Sequence, residues 1–212
     1  MRKAMLIAVL VGVWLPPGTA SAGLCINEIM ADPASDWDGS GAYSYRDDEW
    51  IEVYNSGPGH VELHEYLLSN DSGLLTYGFE AGDVLAVGEA RVTYGSQSVA
   101  WQQTHGQSAY GFKLNNDGDT PILWQLAGGD TLMVDSHTYN TYEADDDRST
   151  GRNPDGIGAW EIFDALNPYT GTMPPLGNDL APTPGLPNVG DPPPVALEEV
   201  TWGSVKARFE RR

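Results

Sequence analysis

Along this chain apolar and polar residues alternate with a period of two, in short runs cut by turn residues. Trp50-Ile51-Glu52-Val53-Tyr54 alternates strictly and stops at Asn55-Ser56-Gly57-Pro58-Gly59. Ile26-Asn27-Glu28-Ile29-Met30 stops at Ala31-Asp32-Pro33, where the proline has no N–H to offer a neighbouring strand. Further β-rich runs are Val61 to Leu63, Leu67-Leu68, Asp83 to Val87, Arg91 to Tyr94 and Phe112 to Leu114. Ile122 to Leu126 and Thr131 to Tyr139 flank Ala127-Gly128-Gly129-Asp130, the clearest hairpin signal here. In its second arm Leu132, Val134 and Ser136 share one face and Met133, Asp135 and His137 the other, the pattern of a half-buried antiparallel strand. No apolar stripe of helical period lasts three turns between Gly23 and Pro168. Short strands between frequent turns predict an all-β sandwich or barrel.

The two ends read differently. Met1-Arg2-Lys3, an apolar run from Ala4 to Leu15 and Ala20-Ser21-Ala22 predict a secretory signal over residues 1–22. Twelve apolar residues reach only ~18 Å as a helix, short of a ~30 Å hydrocarbon core, which disfavours an uncleaved anchor. Leu24 before Cys25 argues against a lipidated cysteine, since a small residue is expected there. The predicted layout is a sandwich over 23–172 with a closing segment to about 190, a Pro-rich linker over 173–195 and a basic tail over 196–212. In that tail Val200 or Thr201, Val205 and Phe209 recur at near-helical spacing, and Lys206, Arg208, Arg211 and Arg212 cluster beside Glu210. Thr201 to Phe209 resembles short C-terminal sorting tags of some secreted bacterial proteins. The plainer alternative is a loosely ordered helix on the acidic body.

Charge narrows the function classes. The 212 residues carry 11 Lys+Arg against 30 Asp+Glu, a net charge of −19, so non-specific nucleic-acid binding is excluded. Docking on an anionic membrane face is disfavoured for the same reason, and no other segment predicts a membrane span. Yet 41% of residues are hydrophobic and seven are Trp, enough for a packed core. One Cys excludes an intramolecular disulfide framework and a Cys-based zinc site.

Several fragments then agree in order. Ile26 to Pro33, Asp48-Glu49-Trp50-Ile51-Glu52-Val53-Tyr54-Asn55, Val61 to Leu68, Phe79-Glu80-Ala81-Gly82-Asp83-Val84-Leu85, Leu114-Asn115-Asn116-Asp117-Gly118-Asp119, Ser149 to Gly156 and Thr183-Pro184-Gly185-Leu186-Pro187-Asn188 together resemble the lamin tail domain family of the bacterial secreted type. That resemblance implies an immunoglobulin-like antiparallel β-sandwich without catalysis, of a kind carried by exported bacterial proteins beside hydrolases or surface modules. It implies no ligand, because function does not follow from fold.

No catalytic constellation appears: the chain has no G-x-S-x-G, P-loop or nucleotide glycine fingerprint. His60-Val61-Glu62-Leu63-His64 lacks the zinc-protease order, and along a strand its rings would lie ~13 Å apart. His105 and His137 show no obvious partner. Arg152 is expected to pair with a carboxylate at a sheet edge, and Pro154-Asp155-Gly156 to turn the chain. Asp145-Asp146-Asp147 reads as a solvated loop, with cation binding as the alternative. Trp50 and Trp124 are expected in the core, while Trp37 and Trp101 are the candidates for exposed ligand stacking.

A calcium site is the sharpest expectation. In a 12-residue loop from Asp36, oxygen side chains fall at positions 1, 3, 5, 9 and 12: Asp36, Asp38, Ser40, Ser44 and Asp47. Gly41 takes the sharp turn and Ala42 offers a carbonyl. The competing reading is a flexible acidic loop. The expected function is a non-catalytic exported module for adhesion, scaffolding or assembly at the cell surface, bound to an unknown protein or polysaccharide. The alternative is a calcium-assisted carbohydrate-binding module.

Overall fold

The computed structural model describes residues 23–188. The expected signal, residues 1–22, and the basic tail, 196–212, lie outside the described residues. In chain order the strands are β1 (Leu24–Met30), β2 (Trp50–Asn55), β3 (Val61–Glu62), β4 (Tyr66–Ser69), β5 (Leu75–Gly78), β6 (Val84–Leu85) and β7 (Ala90–Tyr94). Helix α1 (Gly95–Thr104) follows, then β8 (Gly118–Asp119), β9 (Ile122–Ala127), β10 (Asp130–Ser136), β11 (Tyr139–Asn140), β12 (Ser149–Asn153) and β13 (Ala159–Phe163).

Five strands form one sheet in the order β13-β12-β1-β2-β7, and four form a second in the order β10-β9-β4-β5. Every strand pair is antiparallel. The fold is therefore an all-β, immunoglobulin-like sandwich. Its core joins Ile26, Ile29, Ile51 and Val53 of the larger sheet to Tyr66, Leu68 and Leu123 of the smaller. Each buried aliphatic side chain contributes ~1.5–3 kcal/mol, which makes this seam the main stabilising feature.

Strand β2 is buried on both faces. Ile51 and Val53 enter the core, while Trp50 and Glu52 point the other way and are equally hidden, at 0% exposure each. A register shift between Ile26 and Glu28 puts Asn27 in a bulge and sets Glu28 directly across from Glu52. Two carboxylates thus face each other on a sheet surface that strict alternation would leave to solvent.

The segment read as the start of a linker covers them. Residues 173–188 form no regular strand but run as bends and a turn at Thr183–Leu186, and they are pinned to the larger sheet. Gly177 forms a bridge with Ile162, and Thr183 donates to Glu28 Oε2 at 2.8 Å. Asn188 Nδ2 donates to the carbonyl of Arg152 at 2.7 Å. The composition signalled extension; it carried no sign of the carboxylates that hold the segment in place.

Helix α1 was not expected, because its apolar residues form no stripe. A ten-residue helix is marginal alone, and buried polar contacts supply what an apolar face lacks. Ser98 Oγ donates to the carbonyl of Thr76 at 2.7 Å. Gln102 donates to Gly111 O at 2.8 Å and accepts from Gly111 N at 3.0 Å. The helix starts at a glycine because a Cβ on Gly95 would lie 1.9 Å from the carbonyl oxygen of Arg46.

Strand β10 also differs from its pattern. It is the edge of the smaller sheet, and a register shift between Met133 and Asp135 breaks the alternation. Leu132, Met133 and Val134 are all exposed, so no half-buried face forms. Trp50 is in the interior as expected, but Trp124 is not: it is half-buried and lines a shallow groove with Leu67, Leu75 and Thr131.

Candidate metal centre

The loop between β1 and β2 carries the acidic residues of the expected calcium site, and the structure brings only part of that set together. Asp36 and Asp38 converge as expected, but their third partner is Asp48, just beyond the twelve positions. Carboxylate oxygens from these three lie within 4.8 Å of one another. Ser40 and Ala42 do not join them: the Ser40 hydroxyl donates to the Ala42 carbonyl at 3.1 Å. Ser44 and Asp47 also turn to each other, at 3.1 Å. Asp47 is further engaged by Arg46 at 2.7 Å, and that contact holds its carboxyl below the usual range.

Asp48 organises the loop. It is fully buried, its Oδ1 accepts from the amides of Trp37 (2.7 Å) and Asp38 (2.9 Å), and its Oδ2 accepts from Ser44 at 2.7 Å. Asp36 Oδ2 takes the amide of Gly41 at 2.8 Å, and Asp38 Oδ1 that of Ser40 at 2.9 Å. Burial raises the Asp38 carboxyl, but hydrogen bonds from Ser96 and Ser40 outweigh it and hold the group low. Three carboxylates at this separation repel unless a cation joins them. Hard oxygen donors of this kind suit calcium. Sequence spacing missed Asp48 because it was read as the opening of the next strand.

A second acidic group lies on the same rim. Asp32, Asp145 and Asp146 come within 4.8 Å of one another. Burial, then Asp146, raises the Asp32 carboxyl. Asp145 is bonded to Arg148 at 2.8 Å. Asp147 stands apart as a structural acid: it accepts from Ala34 N at 2.8 Å, Ser35 Oγ at 2.6 Å and Trp37 Nε1 at 2.7 Å. It therefore ties the two acidic loops together.

The two stacking candidates are both half-buried and engaged. Trp37 spends its N–H on Asp147, and its ring sits 6.2 Å from that of Trp50. Trp101 lies over Gly78 and stacks on His105 at 4.2 Å. His105 thus has a partner, and so does His137, which stacks on Trp160 at 3.6 Å and bonds Glu143 at 3.2 Å. His60 and His64 belong to neither group able to share an ion among the described residues. Arg152 pairs with Asp135 at 3.1 Å, the edge carboxylate expected of it. Burial pushes the Cys25 thiol up to about 11, so it rests as an unreactive thiol rather than a nucleophile.

The antiparallel sandwich, with two acidic loops joined through Asp147 and a closing segment docked on the larger sheet, defines an immunoglobulin-like class of module. The lamin tail domain family matches residues 17–141, more than half of the sequence, and the chain belongs to that family of immunoglobulin-like, non-enzymatic domains. No curated protein matches the chain. Among the described residues, no helix is long and apolar enough to cross a membrane.

Proposed function

We propose that this chain is a non-catalytic exported module that serves adhesion, scaffolding or assembly at a bacterial cell surface, with calcium held by Asp36, Asp38 and Asp48. The observation that carries the reading is the convergence of these three carboxylates on a loop fixed by buried Asp48. Calcium there relieves their repulsion and stiffens the connection between β1 and β2, which presents the acidic rim as one fixed surface. The test is retention on the surface of secreting cells. Calcium chelation, or Asp36→Ala with Asp38→Ala, is expected to release the protein; retention unchanged under both would contradict the reading.

A carbohydrate-binding role is the second reading, favoured by one observation. The open groove on the smaller sheet has Trp124 beside Leu67 and Leu75, with its indole N–H fixed on Ser69 at 2.8 Å. An aromatic ring held this way offers a stacking face. Polysaccharide-array binding lost on Trp124→Ala but kept on Trp37→Ala supports it; no binding across the array removes it.

A further inference from the structure

Strand β10 is a sheet edge that the described residues leave bare. Other edges are closed. Ile162 of β13 donates its amide to Leu176 O and accepts from Asn178 N, at 3.0 Å each. The carbonyl of Thr76 in β5 is taken by Ser98 and Gln102 of α1. β7 carries Arg91, a charge of the kind that blunts an edge. β10 has no Lys, Arg or Pro, and its Leu132, Met133 and Val134 are exposed. A long, exposed, apolar edge is a template for another strand.

The hairpin fixes what this edge offers. Gly128 and Gly129 have φ of 62° and 98°, a tight two-residue turn across which Ala127 pairs with Asp130. Hydrogen bonding to β9 alternates from that pair, so Thr131 and Met133 turn their N–H and C=O groups to the open side. Thr131 lies opposite Leu126 and Met133 opposite Trp124, on the outer face that also carries Leu67 and Leu75. Asp130 lies on the other face, and so, beyond the register shift, does Asp135, which is opposite the core residue Leu123.

We propose that Val205-Lys206-Ala207-Arg208-Phe209 of the same chain adds to this edge as a fifth strand of the smaller sheet.

Three features select this occupant. The first is pattern, since the segment alternates apolar and basic residues with a period of two. As a strand it sets Val205, Ala207 and Phe209 together on the apolar outer face, and Lys206 and Arg208 together on the face of Asp130 and Asp135. The second is charge. Residues 23–188 hold 5 Lys+Arg against 26 Asp+Glu, whereas residues 206–212 hold 4 against 1. A second copy of the body would instead bring its own Asp130 and Asp135 to the same edge and repel. The third is reach. Asn188 bonds the carbonyl of Arg152, and the Arg152 side chain bonds Asp135 of β10. The sixteen residues between Asn188 and Val205 span up to ~53 Å, more than the ~23 Å length of β10. That tether makes docking intramolecular, at an effective concentration on the order of millimolar.

The experiment is amide hydrogen exchange by NMR on the chain from residue 23 to residue 212. Calcium is saturating throughout, so the acidic loop is in one state in every arm. Two double variants change the tail alone and leave the packed domain untouched. Ala207→Pro with Arg208→Pro places consecutive prolines, one of which must fall on the bonded side of the strand. Lys206→Glu with Arg208→Glu reverses the charges. The amides of Thr131 and Met133 are expected to exchange at least fivefold faster in each variant than in the wild type. The Leu132 amide, which bonds β9, exchanges alike in all three. Added salt speeds exchange at Thr131 and Met133 in the wild type by screening the tail from the body. Equal rates at Thr131 and Met133 in the wild type and both variants overturn the proposal. Protection that rises with protein concentration and survives both variants assigns the edge to a second copy, and overturns it as well.

Discussion

The backbone amide of Gly185 donates to Glu52 Oε2 at 2.7 Å and so joins the closing segment to the second strand across 133 positions of sequence. Around it Thr183 bonds Glu28, Asn188 bonds Asp155, and Asn27 bridges Glu52 and Asp155. The closing segment is thus a latch over three carboxylates: the bulge at Asn27 sets Glu28 across from Glu52, and the Asn27 side chain reaches Asp155. Asn188→Ala removes the donor to Arg152 O and leaves that carbonyl in need of a partner. A loss of ~1–3 kcal/mol is expected, or a fall of ~2–12 °C in thermal midpoint for a domain of this size. Calorimetry checks it, and an unchanged midpoint means that the segment is merely laid on the sheet.

The same carboxylates set a pH dependence. Burial pushes Glu28 up to about 7, and burial with the Glu28 charge pushes Glu52 up to about 8. Each carboxyl therefore holds its proton more tightly in the folded chain than in the unfolded one. Stability contributed by these groups is full below the ordinary carboxylate range and declines as pH rises toward 7 and 8. The slope approaches ~1.4 kcal/mol per pH unit for each group within that window. Chemical denaturation between pH 5 and pH 8 should show wild-type stability falling, with a flatter profile for Glu52→Gln. A wild-type profile that rises across this interval contradicts the assignment.

Helix α1 makes a separate prediction. Gln102 is buried and bonded to Gly111 on both its amide atoms, whereas Gln103 is exposed. Gln102→Ala is expected to cost ~1–3 kcal/mol, since it strands buried backbone groups, and Gln103→Ala to stay within ~0.5 kcal/mol. Equal costs for the two in urea denaturation would mean that helical propensity, and not the buried contacts, holds α1.

Export carries its own measurement. Ser56 donates to the carbonyl of Gly23 from both its hydroxyl (3.0 Å) and its amide (3.2 Å), which ties the residue at the expected cleavage point to the end of β2. Mass spectrometry of protein from a secreting host should find a chain that starts near Gly23. A chain that keeps Met1, or one lipidated at Cys25, contradicts this.

Most of the sheet was legible because short runs of β-branched and aromatic residues bounded by turn residues mark strands whichever faces they bury. The strands at 26–30 and 50–54 and the hairpin at Gly128-Gly129 follow from it. Three features were not legible, each for a physical reason. Glu28 and Glu52 look solvent-facing until a turn 133 positions away in sequence covers Glu52. Helix α1 is held by amide and hydroxyl contacts, which leave no apolar stripe. The acidic loop showed its chemistry in Asp36 and Asp38, but the choice of Asp48 over Asp47 depends on Arg46 engaging Asp47, which loop spacing does not encode.

The calcium site is tested most directly by thermal unfolding with and without calcium. For an extracellular-type affinity of ~10⁻⁴ to 10⁻³ M, ~10 mM calcium adds ~1.4 to ~2.7 kcal/mol of stability, a rise of roughly 3–10 °C for this domain. Asp36→Ala with Asp38→Ala should abolish that rise, while Asp47→Ala, whose carboxylate is engaged by Arg46, should leave it in place. No rise in the wild-type chain, or a rise that survives the double substitution, contradicts a calcium site at Asp36, Asp38 and Asp48.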